Sequence, residues 1–192
     1  KLNKPVRYFK KLEETGYISD GKHSLEKISE TTRKRRKAGD LPPPFPNGWY
    51  CVIDSNELKV KEVKQVFLLG QLVAVFRMED GEAVVVDAYC PHLGANLAVG
   101  GVVKSNGLEC PFHGWTFDKK GRCVDIPYAQ SIPSTAKTRA WTSLEINGQV
   151  LIWFDAEGRE PAWYPMEMPE ITSKKWVWKG KTEGYLNAHI QV

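Results

Sequence analysis

Apolar positions in this chain come in short bursts. From Trp49 onward, runs rich in β-branched and aromatic residues are broken by turn signals such as Glu79-Asp-Gly81, Lys119-Lys-Gly121 and Asn147-Gly148. The pattern predicts a meander of strands over Val63–Leu69, Gln71–Arg77 and Ala83–Ala88. It predicts two further strands, Ala140–Ile146 and Gln149–Asp155, flanking an Asn-Gly pair suited to a tight hairpin turn. The layout is all-β. Past Asp155 the texture shifts to Gly158-Arg-Glu-Pro-Ala-Trp-Tyr-Pro, after which a strand is expected over Lys175–Lys179 and another from near Leu186.

The first forty positions follow a different rule. They are charged, with scattered apolar residues such as Tyr8, Phe9, Tyr17 and Ile18, and support at best one short helix around Ser24 to Arg36. Leu41-Pro-Pro-Pro-Phe-Pro-Asn-Gly then forbids helix and favours a stiff extended connector. These shifts divide the chain into a polar, basic lead-in over 1–46, a β-rich body over 47–157 and the start of a further domain over 158–192.

A chain of 192 residues that is 42% hydrophobic buries one good core and a fragment of a second. The net charge of +4 is concentrated in the unbroken cationic run Arg33 to Lys37. That run reads as a solvated linker or as a site attracted to anionic lipid, worth roughly 1 kcal/mol per cation near such a surface; no motif supports a nucleic-acid role. No window reaches the roughly eighteen apolar residues of a membrane span.

Chemistry concentrates in two short loops. Of four cysteines and four histidines, half of each fall in Cys90-Pro-His-Leu-Gly and Cys110-Pro-Phe-His-Gly-Trp. The spacing is C-x-H, then seventeen residues, then C-x-x-H. Structural zinc sites usually group a cysteine pair and then a histidine pair. Loops that each offer one thiolate and one imidazole fit better an asymmetric two-iron cluster, with Cys90 and Cys110 on one iron and His92 and His113 on the other. Neutral imidazoles in place of anionic thiolates make an electron easier to add, which places such centres at roughly −150 to +300 mV against about −400 mV for all-cysteine clusters. The histidine-bound iron is expected nearer the surface.

Gly94, Gly100, Gly101, Gly107 and Gly114 allow tight loops with amide N–H groups free to face sulfur, and Pro91 and Pro111 stiffen them. Cys51 and Cys123 read as buried free thiols. Trp115 reads as a shield for the cluster or as packing, and Asp118 and Asp125 as turn residues rather than electron-path carboxylates.

The two loops resemble the Rieske 2Fe-2S signature. Respiratory-chain Rieske proteins carry an additional cysteine in each loop, joined by a disulfide, where Ala95 and Phe112 stand here, so the likeness is to Rieske oxygenases and their ferredoxins. Three stretches are more specific: Arg33-Lys-Arg-Arg-Lys-Ala-Gly-Asp-Leu-Pro-Pro-Pro-Phe-Pro-Asn-Gly-Trp-Tyr, Asp87-Ala-Tyr-Cys-Pro-His-Leu-Gly-Ala-Asn-Leu and Ala156-Glu-Gly-Arg-Glu-Pro-Ala-Trp. Together they resemble the cholesterol 7-desaturase (Neverland) family, itself similar to bacterial 3-ketosteroid hydroxylases.

The resemblance implies an antiparallel β-sandwich with an inserted cluster-binding subdomain, followed by an α+β catalytic domain. It further implies cholesterol, dioxygen and electrons from NAD(P)H through a separate reductase, with 7-dehydrocholesterol as product. In such enzymes the cluster relays electrons, commonly across a trimer interface, to a mononuclear Fe(II) held by two histidines and a carboxylate. Only His23 and His189 remain here, too far apart for that site. The chain therefore reads as the electron-relay portion of a longer protein, with an anchor before Lys1 placing it on a membrane, the endoplasmic reticulum facing the cytosol. A 3-ketosteroid hydroxylase and a stand-alone electron carrier remain as alternatives.

Overall fold

The computed structural model describes residues 45–177, 179–182 and 184, with isolated positions at 21, 22, 24 and 27. The chain divides into two compact units, Lys1–Pro44 and Phe45–Val192, and every described strand belongs to the second. The cationic run at Arg33–Lys37, His23, His189 and the strand expected from Leu186 lie outside the described residues, as does most of the helix expected around Ser24 to Arg36.

Among the described residues, ten strands form three antiparallel sheets. β1 (Gly48–Asp54), β10 (Gln149–Phe154) and β9 (Ser143–Ile146) make the first, in the order β1-β10-β9. The meander β2 (Val63–Leu68), β3 (Gln71–Arg77) and β4 (Ala83–Asp87) makes the second. The third, β5 (Val102–Lys104), β6 (Gly107–Glu109), β7 (Thr116–Phe117) and β8 (Cys123–Asp125), is inserted between β4 and β9. A single bridge, Val86 to Ala140, ties β4 to the segment that leads into β9.

The middle sheet explains its own sequence. Successive strand residues face opposite sides, and both sides of β3 and β4 are covered. Val73, Val75 and Val85 pack with Val52, Leu58, Trp141, Val150 and Ile152. Their neighbours Ala74, Phe76, Val84 and Val86 pack with Leu97, Val103, Leu108 and Phe117 of the inserted region. Strands buried on both faces carry continuous apolar runs instead of alternation, as Leu72–Phe76 and Ala83–Val86 do.

The hairpin between β9 and β10 turns at Asn147 and Gly148, with φ of 52° and 79°. Two consecutive left-handed residues are what a type I′ turn requires, and Asn-Gly supplies them at least cost. Arg77, almost buried at the end of β3, donates to Leu58 O (2.8 Å) and Gly81 O (2.6 Å) and forks onto both carboxylate oxygens of Glu145 on β9 at 2.8 and 2.9 Å. It thereby ties the first two sheets at their edge.

After β10 the chain returns along the first sheet. The indoles of Trp49 and Trp153 donate to the carbonyls of Trp163 and Arg159, each at 2.8 Å, while Asn147 holds Met166 and Met168 by their backbone. The strand expected at Lys175–Lys179 is not formed: among the described residues 175–177 and 179 carry no strand pairing, and one helical turn, Pro169–Thr172, precedes them. Pro169 at the first helical position favours that turn. No helix among the described residues is long and apolar enough to cross a membrane.

Candidate functional site

The two cysteine-histidine loops leave the inserted sheet side by side, one between β4 and β5, the other between β6 and β7. Their backbones repeat each other. Cys90 N–H donates to Ala95 O and Gly94 N–H to Cys90 O, both at 2.8 Å; Cys110 N–H donates to Trp115 O at 2.8 Å and Gly114 N–H to Cys110 O at 3.1 Å. Each loop thus closes on its cysteine from the glycine four positions on and from the carbonyl five positions on. The glycines turn through the left-handed region, φ 74° at Gly94 and 71° at Gly114, where a side chain costs roughly 1–2 kcal/mol. Gly114 is further constrained, since a Cβ there would lie 2.9 Å from Pro127 Cγ.

Within this shared frame the histidines sit at different places. His92 is two residues after its cysteine, His113 three; Leu93 takes the place of His113 in the first loop, and Phe112 that of His92 in the second. The cysteines occupy the same place in both. Cys90 and Cys110 are each 3% exposed and belong to the core between the middle and inserted sheets. His113 is exposed and His92 half-buried, flanked by Leu93 (70% exposed) and Phe112 (68%). Sulfur therefore lies inward and imidazole outward.

The sulfur end is built for a charge it does not balance alone. Burial, opposed in part by the His92 and Leu93 backbone N–H groups that point at the sulfur and reinforced by the neighbouring Cys110 thiol, pushes the Cys90 thiol up to about 11. A buried thiol with no cationic side chain beside it keeps its proton; bound metal displaces that proton and makes the thiolate. The amides aimed at sulfur then serve the anionic form.

At the imidazole end, the rings of His92 and His113 meet edge to face with centroids 4.8 Å apart. His92 Nδ1 is buried and has no hydrogen-bond partner. An orphaned ring nitrogen is costly in a folded protein, and a metal ion held there would satisfy it. Two adjoining buried thiols, two adjoining imidazoles and an unpartnered nitrogen fit a two-metal, two-sulfur, two-nitrogen group.

Trp115, in the second loop, stacks on His92 of the first, centroids 4.6 Å apart and planes within 7°. Its indole N–H donates to Tyr128 Oη at 2.7 Å. Tyr128 was not singled out by the sequence; only the chain's return past the second loop reveals it. Asp118 holds its turn, accepting from the amides of Lys120 and Arg122 and from the Arg122 guanidinium, and Asp125 is exposed. Neither reaches the loops' histidines.

Of the remaining cysteines, Cys123 is buried in the core below the loops. Cys51 is exposed, contrary to the expectation of a buried thiol. It points outward from β1, an edge strand with a bulge between Cys51 and Ile53, while Val52 takes the inward position. It lines an open hollow of about 570 Å³ with Asp54, Glu57, Lys64 and Lys181. No disulfide is formed among the four cysteines.

Residues 48–136 match the Rieske 2Fe-2S domain family. Cholesterol 7-desaturase nvd 1 of Ciona intestinalis is 48% identical over 190 residues, which is 97% of this chain and 40% of that protein. Cholesterol 7-desaturase nvd of Xenopus laevis is 48% identical over 99% of this chain and 42% of its own length. Among solved structures, dicamba monooxygenase with non-heme iron and dicamba superposes with a TM-score of 0.57 at 29% identity, covering 62% of this chain and 37% of that one. The chain thus spans about two fifths of the length of the curated relatives it matches. A Rieske domain implies a 2Fe-2S cluster, and both the domain and the near full-length likeness around it lead to one conclusion: the chain belongs to the Neverland family of Rieske oxygenases.

Proposed function

We propose that Cys90 and Cys110 bind one iron of a 2Fe-2S cluster and His92 and His113 the other, and that this chain is the electron-relay portion of a sterol desaturase. The observation that carries the ligand assignment is the pair of matching loops, which bring two buried sulfurs together beneath two imidazoles, one with an unpartnered buried nitrogen. When bound, the cluster supplies a one-electron carrier of raised potential. The protein buries the thiolate end, aims amides at sulfur and leaves the imidazole end at the surface, where electrons enter and leave.

The likeness to cholesterol 7-desaturases supports cholesterol as the substrate. Cholesterol loses one hydrogen each from C7 and C8 and becomes 7-dehydrocholesterol. Dioxygen takes four electrons to form two waters; two come from the sterol and two from NAD(P)H, passed singly through a reductase and the relay. Residues 47–157 form the relay domain, 1–46 the lead-in from a membrane anchor, and 158–192 the beginning of a catalytic domain that would hold a mononuclear Fe(II). The full protein works as a homotrimer on an anionic membrane face, the endoplasmic reticulum facing the cytosol.

Two measurements test this. The anaerobically prepared chain is expected to be coloured, with two irons and two sulfides per chain and a Rieske-type electron-spin spectrum on reduction; a colourless protein with stoichiometric zinc overturns the ligand assignment. The full-length protein, supplied with reductase, NADPH and oxygen, is expected to form 7-dehydrocholesterol from cholesterol, and a hydroxylated 3-ketosteroid as the sole product of a mixed assay overturns the substrate.

A further inference from the structure

We infer that Trp115 and Tyr128 form a clamp that fixes the plane of the His92 imidazole and holds the midpoint potential of the centre below the value its ligands alone would give. The inference rests on the ligand assignment above and adds to it a positioning pair outside the ligand set.

The geometry is a relay of contacts across three segments. Ile126 is buried below the loops, and a turn bonded from Ala129 N–H to Ile126 O carries Pro127 and Tyr128 past the second loop. There Pro127 abuts Gly114 and the Tyr128 hydroxyl accepts the Trp115 indole N–H at 2.7 Å. Trp115 in turn lies flat on His92, a residue of the other loop. A flat stack leaves a ring free to slide and rotate in its plane unless something fixes one of the two partners. The hydrogen bond to Tyr128 fixes the indole, and the indole then fixes the imidazole. His113 has no such cover: its ring neighbours among the described residues are His92 and the exposed Phe112, both edge-on. The two imidazoles are therefore held unequally, one clamped and one open to solvent.

The sign of the effect on potential follows from charge. Reduction adds one negative charge to the centre. Indole cover excludes water from the flank of His92, and the face of an aromatic ring is the negative pole of its quadrupole; both disfavour the added charge. Loosening the clamp admits water and removes the ring face, so the potential rises.

The test uses the cluster-loaded full-length protein and the variants Y128F, W115F and W115L. Iron and sulfide content, the electron-spin spectrum of the reduced state with its histidine-nitrogen couplings, and the midpoint potential are compared with the parent. The expected series is a rise in potential and a broadening of the spectrum that grow from Y128F through W115F to W115L, at parental iron content. Tyr128 is 63% exposed, so Y128F keeps the fold and decides the matter even where W115L fails to load. Parental potential and spectrum in Y128F, or in a loaded W115L whose only change is a lower melting temperature, overturn the clamp and leave Trp115 as packing. Absence of histidine-nitrogen couplings in the parent overturns the ligand assignment instead, which keeps the two failures distinct.

Discussion

The two faces of the middle sheet have been put to opposite uses. On one, Val73, Val75 and Val85 meet Val52, Trp141, Val150 and Ile152 across strands of four to seven residues. That half is closed by hydrocarbon and by regular pairing. On the other, Ala74, Phe76, Val84 and Val86 meet a sheet whose strands are two or three residues long, and three of the buried residues on that side are cysteines. Strands that short contribute few ladder bonds, and small cores lean on metal for stability. The first half is a scaffold closed by its own packing; the second is expected to depend on a metal group held in its loops.

The sharpest way to break that division is to remove a sulfur ligand. Cys110→Ser is expected to abolish the visible absorption, and hydrogen exchange should show protection lost across β5–β8 while β1, β3 and β10 keep theirs. Uniform loss in all ten strands would mean that the halves fold as one. Next in size, Phe76→Ala and Ile152→Ala each empty a fully buried site, costing about 3–5 and about 2–5 kcal/mol respectively. Denaturant titration measures both, but only Phe76→Ala should also lower the iron bound per folded chain, because only Phe76 faces the inserted sheet.

A smaller effect sharpens the comparison at the scaffold's edge. The Arg77 guanidinium holds the Glu145 carboxyl below its usual range. A carboxylate whose folded pKa is depressed lends stability above its unfolded pKa and loses it as pH falls through the folded value. Glu145→Gln is therefore expected to cost about 1–2 kcal/mol near neutrality, the figure being moderated because a third of the side chain is exposed. The deficit should shrink in acid melts taken below about pH 4, and a deficit that stays constant with pH would deny the ion pair its role. Smallest is Gly148→Ala, where the left-handed φ of 79° in open space predicts a loss of about 1 kcal/mol, with iron content unchanged.

Sequence and structure part company along the same division. β1 was not singled out, but β2, β3, β4, β9 and β10 announce themselves as runs rich in β-branched and aromatic residues between turn signals, and Asn147-Gly148 names its own turn. β5 to β8 do not, since two or three residues show no periodicity; that region was legible only through Cys90, His92, Cys110 and His113. Tyr128 was invisible because its meaning lies in a contact thirteen residues away in the chain. Lys175–Lys179 misled because Trp176 and Val177 satisfy strand propensity, yet 175–177 and 179 carry no strand pairing. Cys51 misled because a lone thiol carries no sign of which side of an edge strand it will take.

The repeated loop has a bearing on how such a protein changes over time. Its hydrogen bonds run between backbone atoms and ask only for a left-handed residue, here glycine, at the fifth place; the side chains before it are free of that duty. Chemistry is thus written on a blank line inside a fixed stanza. The two loops already differ by one letter in where the imidazole stands, with the verse around it unchanged.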